Sequence, residues 1–332
     1  MCKINVCGSF EIALNPMQIV ITDGHELNPG DLTWEAIEKL GKVNYYNSTP
    51  KDKIFERCIA TDIIITNKTP IDASLIEASQ KLKLITVTAT GYNNIDVQAA
   101  KKANIAVCNV PEYGTFSVAQ HTFALLLELV NHVGMHSTSV QKAEWEHSNR
   151  WSYSLKPVTE LKDKILGIVG LGRIGLQVAE IGKAFGMKII FSNRSSKNSH
   201  VGEQVSMQEL FTMSDVISLH CPLTNENTGF VNHEYLSMMK SSALLINTSR
   251  GQLINEQDLA EALQKKMLSA AALDVLSTEP PSPGHPLIGL SNCIITPHNA
   301  WSSFEARSRL MKVTHENILK FLAGNPQNLV SR

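Results

Sequence analysis

The chain has no long uncharged apolar run. Its first stretch, Met1 to Pro16, carries Lys3 and Glu11, which interrupt the apolar core that a secretory signal needs. The most apolar later segment, Phe116 to Val133, is broken by Gln120, His121, Glu128, Asn131 and His132 and is too polar for a spanning helix of about 20 residues. These absences argue against secretion and membrane insertion and lead to the expectation of a cytoplasmic protein. Paired cysteines are missing as well. Cys2, Cys7, Cys58, Cys108, Cys221 and Cys293 are scattered, a spacing that suits buried thiols better than a disulfide framework or a zinc site, so no metal is expected. Nor is there an excess of charge. Lys and Arg total 30 against 31 Asp and Glu, a formal net charge of -1, which offers no overall field to nucleic acid or an anionic membrane. A small anionic ligand then requires locally placed cations.

At 332 residues the chain exceeds what one core usually serves, and about 150 residues per domain suggests two. From Met17 onward, short apolar runs alternate with amphipathic stretches, the pattern of parallel strands joined by crossover helices. The first sixteen residues precede this pattern and read as a loosely held extension, whose deletion should leave activity unchanged. In the first third, strands are predicted near Gln18–Thr22, Lys42–Tyr45, Ile63–Thr66, Leu84–Val87 and Ala106–Cys108, with helices at Asp31–Leu40 and Asp72–Ala78 among those between them. A second set follows at Lys164–Val169, Lys188–Phe191, Val216–Leu219, Ala243–Asn247, Ala271–Asp274 and Cys293–Ile295. Six strands are the complement of a doubly wound dinucleotide fold. The final helix, predicted over Ser302 to Leu322, is assigned to neither set by sequence pattern alone.

The buried strand Ile165–Val169 runs straight into Gly170-Leu171-Gly172-Arg173-Ile174-Gly175 and then a helical segment. Three glycines alone are weak evidence, but a strand before and a helix after give them specific tasks. Gly170 permits a tight turn, Gly172 lets the backbone approach a pyrophosphate, and Gly175 allows close helix-to-strand packing. Arg173 adds a cation at the same point. About 20 residues past such glycines an acidic side chain usually binds the ribose hydroxyls of NAD. Here the chain reads Ser192-Asn193-Arg194-Ser195-Ser196, and Arg194 is suited to pair with the 2′-phosphate of NADP. The cofactor expected is therefore NAD or NADP, leaning to NADPH or dual use.

Three further turns follow strands of the same set, at the end of an open parallel sheet where ligands bind. They are Thr248-Ser249-Arg250-Gly251, Glu279-Pro280 and Pro297-His298-Asn299-Ala300-Trp301. Reducing a 2-keto acid needs a cation for the carboxylate and carbonyl, a proton donor for the forming alkoxide, and a group that keeps the donor charged. Arg250, His298 and Glu279 answer those needs in turn. Taken singly, Arg250 reads better as a surface ion pair, Glu279 as a turn residue before proline and His298 as a satisfied loop histidine. Their joint placement behind three strands of a nucleotide-binding pattern makes the catalytic reading the stronger one.

From Met17 to near its end the chain resembles the D-isomer-specific 2-hydroxyacid dehydrogenases, within them the glycerate dehydrogenase or hydroxypyruvate reductase group. The motifs that carry the resemblance include Thr66-Asn67-Lys68-Thr69-Pro70, Ala89-Thr90-Gly91-Tyr92-Asn93-Asn94-Ile95-Asp96, the Gly170–Gly175 turn, His220-Cys221-Pro222-Leu223-Thr224, Asn247 to Gly251, Ala272-Leu273-Asp274-Val275 and Thr296-Pro297-His298. The resemblance implies an α/β protein of two Rossmann-like domains with parallel sheets and a cleft between them. One is a flavodoxin-like substrate domain made of residues 1–106 and 301–332. The other, residues 107–300, binds the dinucleotide.

It also implies Arg250, Glu279 and His298 as the catalytic triad, with backbone amides at Thr90 and Gly91 facing the substrate carboxylate and Lys68 as a second cation near it. Asp274 would hold the nicotinamide carboxamide. Cys221, Pro222, Thr248, His298 and Ala300 would line the cofactor cleft, as would the helix start from Ser117 to His121, beside Gly170, Gly172, Arg173, Ile174, Gly175, Asn193 and Arg194. The segment from Glu128 to about Pro157, with Trp145, Trp151 and Tyr153, would form a homodimer interface.

The expected reaction is reduction of hydroxypyruvate, or of glyoxylate, to the D-2-hydroxy acid. Neighbouring readings are a reductase for pyruvate or a bulkier keto acid, and, in another class, a nicotinamide-sensing binding protein like the C-terminal-binding corepressors, which share the fold. Phosphoglycerate oxidation fits less well because little chain follows the last helix, and formate offers no keto group for these three side chains to polarise.

Overall fold

The computed structural model describes residues 16–331. The expected N-terminal extension, with Cys2 and Cys7, lies outside the described residues apart from Pro16. The chain divides into two compact units, one running to Tyr113 and resuming at Arg307, the other spanning Gly114–Ala306. Both joins fall later than the expected 106/107 and 300/301. Beyond residue 106 the chain stays tied to the first sheet, Val110 donating to the Ala89 carbonyl at 3.0 Å and Asn109 to that of Asn328 at 3.2 Å.

In the first unit β1 (Met17–Ile21), β2 (Gly41–Tyr45), β3 (Ile63–Thr66), β4 (Leu84–Val87) and β5 (Ala106–Cys108) form one sheet in the order β2-β1-β3-β4-β5. Every pairing is parallel, the flavodoxin-like arrangement. The central runs IIIT and LITV are buried along their whole length, as strands covered on both faces must be. Successive side chains serve opposite faces. Val20, Ile64, Ile85 and Val107 pack in one core, and Ile19, Ile21, Ile63, Ile65 and Leu84 in the other, where Ile318 of the final helix Phe304–Leu322 joins them. Arg307, near the start of that helix and 6% exposed, grips both oxygens of Asp31 at 2.6 Å. The Asp31 carboxyl is held below its ordinary value by this guanidinium.

The second unit contains β6 (Ile165–Val169), β7 (Lys188–Ser192), β8 (Glu203–Gln204), β9 (Val216–Leu219), β10 (Leu244–Asn247), β11 (Ala270–Leu273) and β12 (Cys293–Ile295), all parallel, in the order β12-β11-β10-β9-β6-β7-β8. Seven strands rather than the predicted six are present, because β8 is a two-residue edge strand whose polar Glu203 and Gln204 give no apolar signal. The chain builds outward from β6 through β7 and β8, then returns to the other side of β6 with β9. That reversal is the switch point at which open α/β sheets bind ligands.

Each sheet carries the same stitch among its own strands. Asp62, just before β3, accepts the Gln18 amide of β1 at 2.9 Å and pairs with Lys83. Asp215, just before β9, accepts the Ile165 amide of β6 at 2.8 Å and pairs with Lys240. Burial alone would raise both carboxyls, but the amide and the lysine outweigh it and hold each below its ordinary value. No helix among the described residues is long and apolar enough to cross a membrane.

Candidate active site

The residues singled out in the second unit gather at the carboxyl ends of its strands. Gly170 follows β6 with φ +93°, a conformation that side chains rarely adopt. A Cβ there would lie 2.7 Å from the Cys221 nitrogen, and one at Gly175 would lie 2.3 Å from the Gly170 carbonyl oxygen. Both positions are closed by backbone, which is why the turn after β6 sits against the end of β9 and the helix Arg173–Ala184 seats directly on the turn. Gly172 differs: a Cβ there would meet no protein atom within 4 Å. Its small size leaves open the space in front of the helix amides, the setting in which phosphate groups are commonly bound. Exposed Arg173 stands beside that space and Ile174 is half-buried.

The end of β7 leads to Asn193, whose Oδ1 accepts the Leu171 amide at 2.7 Å and so braces the glycine turn. Asn193 thus has a structural task besides any contact with ribose. Arg194 is exposed. After β9, His220 lies with Nε2 2.8 Å from the Ser218 hydroxyl, and burial pushes its pKa down to about 3, so the ring stays neutral. Burial pushes the Cys221 thiol up to about 11, which makes it an unreactive wall rather than a nucleophile. Pro222 beside it is exposed.

After β10, the buried Thr248 hydroxyl is 3.0 Å from that of Thr122. Ser249 donates to the Cys221 carbonyl at 2.7 Å, joining the turns behind β9 and β10. The Asn247 side chain donates to the Arg250 carbonyl at 2.8 Å, and Arg250 Nη1 to the Ser249 carbonyl at 2.7 Å. Arg250 is thereby held by its own turn; the other two members of the expected triad are Glu279 and His298.

Those two do meet. His298 Nδ1 lies 2.6 Å from Glu279 Oε2, and Glu279 Oε1 accepts the Leu276 amide at 3.0 Å. With Nδ1 turned to a carboxylate, Nε2 is the ring atom left to serve a substrate. His298 has φ +53°, an unfavourable setting for a non-glycine residue that tends to mark functional positions. Its amide donates to the Asp274 carbonyl at 2.8 Å.

Asp274 carries more of the site than its sequence position suggested. It is 1% exposed. Oδ1 accepts the Thr296 hydroxyl at 2.7 Å and the Asn299 amide at 2.9 Å, and Oδ2 the Ala300 amide at 2.9 Å. The carboxylate therefore clamps the whole His298 turn. His121 Nε2, 3.1 Å from Thr296 Oγ1 and 3.5 Å from Asp274 Oδ1, completes the network. Ser117 donates to the Ala300 carbonyl at 2.7 Å. Thr296 and the bonding role of His121 were missed by sequence reasoning. The available signal was an aspartate ending the apolar run Ala270–Leu273, which burial obliges to find donors.

Of the remaining candidates, Thr90, Gly91 and Lys68 lie in the first unit and Trp145, Trp151 and Tyr153 in the second. Thr90 is exposed, its hydroxyl donating to the Val110 carbonyl at 3.0 Å and its own carbonyl accepting from Asn109 Nδ2 at 2.7 Å, with Gly91 next to it. Lys68 is exposed on a turn whose backbone is fixed by Asp23, which accepts the amides of Asn67, Lys68 and Thr69 at 2.8, 2.5 and 2.7 Å. Trp145 and Trp151 are 46% and 91% exposed, while the Tyr153 hydroxyl is 2.6 Å from that of Ser139. Among the described residues no group of three His, Cys, Asp or Glu side chains is placed to hold a metal ion.

Residues 123–300 match the family model described as D-isomer specific 2-hydroxyacid dehydrogenase, NAD binding domain. A hydroxypyruvate reductase of Blautia hydrogenotrophica is 43% identical over 323 residues, spanning 95% of this chain and 100% of its own. Among solved structures, an acyclic imino acid reductase in complex with NADPH and D-Arg is 36% identical with a TM-score of 0.83, covering 95% of this chain and 100% of that one. A D-lactate dehydrogenase from Aquifex aeolicus, complexed with NAD and lactic acid, is 30% identical with a TM-score of 0.80, covering 95% and 99%.

Proposed function

Since the chain belongs to the D-isomer-specific 2-hydroxyacid dehydrogenases, we propose that it reduces hydroxypyruvate, and secondarily glyoxylate, to the D-2-hydroxy acid. The observation that carries this reading is the 2.6 Å contact of His298 with Glu279 at the end of the sheet that bears the glycine turn. The residues present fit a dinucleotide: the helix amides behind Gly172 for the pyrophosphate, Asn193 and Arg194 for the adenosine end, and Cys221, Pro222, Thr248, Asp274 and Ala300 as lining. When bound, a reduced nicotinamide supplies the hydride for the keto carbon.

The chain's own groups do the rest. Arg250 binds the carboxylate and polarises the carbonyl, and its forked guanidinium suits both oxygens. His298, held by Glu279 through Nδ1, delivers a proton from Nε2 to the oxygen of C2 as the alcohol forms. Glu279 orients the ring and balances its positive charge. The clamp at Asp274 holds the His298 turn still, so that the donor does not have to be ordered at the moment of reaction. Thr90, Gly91 and Lys68 are proposed as further contacts of the substrate carboxylate. In this reading the unit carrying them is the substrate domain and Gly114–Ala306 the cofactor domain.

The absence of an acidic residue at Asn193-Arg194 supports NADPH or dual use. Val133, Val140, Trp145, Trp151, Leu155 and Val158 are all more than 40% exposed within one segment of the second unit, which supports a homodimer formed there. The near-zero net charge supports the lack of a nucleic-acid partner, and the scattered cysteines, free among the described residues, support a cytoplasmic location. Initial rates of NADH and NADPH oxidation with hydroxypyruvate, glyoxylate and pyruvate test the reading. Fast turnover of hydroxypyruvate is expected, and a failure to turn over any of the three would reject it.

A further inference from the structure

Next to the His298–Glu279 pair lies a second polar cluster that proton transfer does not use. Glu256 opens the helix Glu256–Gln264. Its Oε1 accepts the Ser277 amide at 2.7 Å, and its Oε2 accepts both the Ser277 hydroxyl and His285 Nε2, the latter at 3.1 Å. The His285 and Glu256 side chains are only 6% and 12% exposed. His285 Nδ1 accepts the Leu287 amide at 3.4 Å, which assigns the ring proton to Nε2 and makes all three groups donors to one carboxylate. The Ser277 carbonyl is held as well, by Gln252 Nε2 at 2.8 Å.

Ser277 and its neighbour Leu276 touch two parts of the site. A Cβ on Gly251 would fall 1.9 Å from the Leu276 carbonyl carbon and 2.3 Å from the Ser277 nitrogen, so the turn carrying Arg250 rests directly on this backbone. Leu276 also donates its amide to Glu279 Oε1 at 3.0 Å. Glu256 therefore holds down, through residue 277, a two-residue segment against which Arg250 and Glu279 are both set. Through residue 285 it holds the far end of the loop that carries Glu279.

We propose that Glu256, with Ser277 and His285, is a positioning unit that fixes the register between the Arg250 turn and the Glu279 loop. The carboxylate-binding cation and the partner of the proton donor are then presented to one substrate at once. This rests on the catalytic reading of Arg250, Glu279 and His298. The cluster touches no reacting atom, and its effect passes through backbone.

The test compares the Glu256→Ala, Ser277→Ala and Ser277→Thr proteins with the unaltered enzyme, by steady-state kinetics with hydroxypyruvate and NADPH and by amide hydrogen exchange over residues 276–287. Misplacement by about 1 Å can cost on the order of 100-fold. Glu256→Ala and Ser277→Ala should lower kcat by about 10- to 100-fold while the KM for NADPH changes less than about two-fold, since the loss concerns the transition state rather than cofactor binding. Ser277→Thr, which keeps the hydroxyl, should recover most of kcat. Exchange at the Ser277 amide should accelerate in Glu256→Ala. Unchanged kcat in the Ala variants would overturn the proposal, as would a fall in kcat matched by an equal rise in the KM for NADPH, or no recovery with Ser277→Thr. Should Glu256→Ala not fold, the two Ser277 variants decide alone. An unaltered enzyme that reduces no keto acid removes the catalytic reading and this proposal together, whereas an active enzyme with unaffected variants removes only this one.

Discussion

Replacing Asp274 by Asn keeps the shape of a buried side chain and changes only its charge and donor pattern. The carboxylate has three donors around it, two on Oδ1 and one on Oδ2. An amide turned with its oxygen toward Thr296 and Asn299 must point its NH2 at the Ala300 amide, and the opposite orientation confronts two donors instead of one. The better orientation thus loses the Ala300 bond and leaves two buried donors, the Ala300 amide and the new NH2, facing each other without an acceptor, at a cost of about 2 kcal/mol. For a domain of about 150–250 residues, that should lower Tm by roughly 4–8 °C. The functional effect should be larger than the thermal one suggests, because the turn set loose carries His298. About 10- to 100-fold in kcat is expected from a donor displaced by a fraction of its contact distance. Differential scanning calorimetry and steady-state kinetics on Asp274→Asn check both figures. A variant that melts with the parent and retains its kcat would refute the claim that this carboxylate holds the His298 turn.

Other outcomes follow from particular contacts. Gly172→Ala should fold normally, because its Cβ meets no protein atom, yet weaken cofactor binding at least tenfold in a fluorescence titration; Gly170→Ala, with a Cβ 2.7 Å from the Cys221 nitrogen, should lower Tm as well. Arg194→Ala should raise the KM for NADPH far more than that for NADH, and equal effects would exclude a 2′-phosphate contact. Asp62 and Asp215 have folded-state pKa values below their ordinary 3.8, so their stabilising contribution is complete above that value and is lost as pH falls through the lower folded one. Asp215→Asn should therefore destabilise the protein at pH 7 and flatten its stability profile below about pH 4, as measured by urea unfolding across pH.

Much of the architecture was legible because strands buried on both faces must be continuously apolar, and Ile63–Thr66, Leu84–Val87 and Val216–Leu219 fall where such runs occur. The glycine turn was legible for a similar reason, since Gly170 and Gly175 are closed to a side chain by backbone. Features fixed by polar contacts were harder to read. The helix predicted over Asp31–Leu40 shrinks to Glu35–Glu38 because Asn28 Oδ1 takes the Gly30 and Leu32 amides into a turn and Asp31 is engaged by Arg307. The edge strand β8 is polar and two residues long. In the site, the turns behind β10, β11 and β12 were found from residue type and position. The clamp at Asp274 and the cluster around Glu256 were not, because each joins residues about 20 or more positions apart, in part through backbone amides, and beyond an aspartate ending an apolar run the sequence marks neither.

The most direct test of the central claim is the fate of deuterium carried at the nicotinamide C4 of NADPH during reduction of hydroxypyruvate, followed by mass spectrometry and chiral chromatography of the product. The account predicts label at C2 of D-glycerate, formed at a rate that collapses in His298→Ala. Unlabelled or L-glycerate, or undiminished turnover without His298, would contradict it.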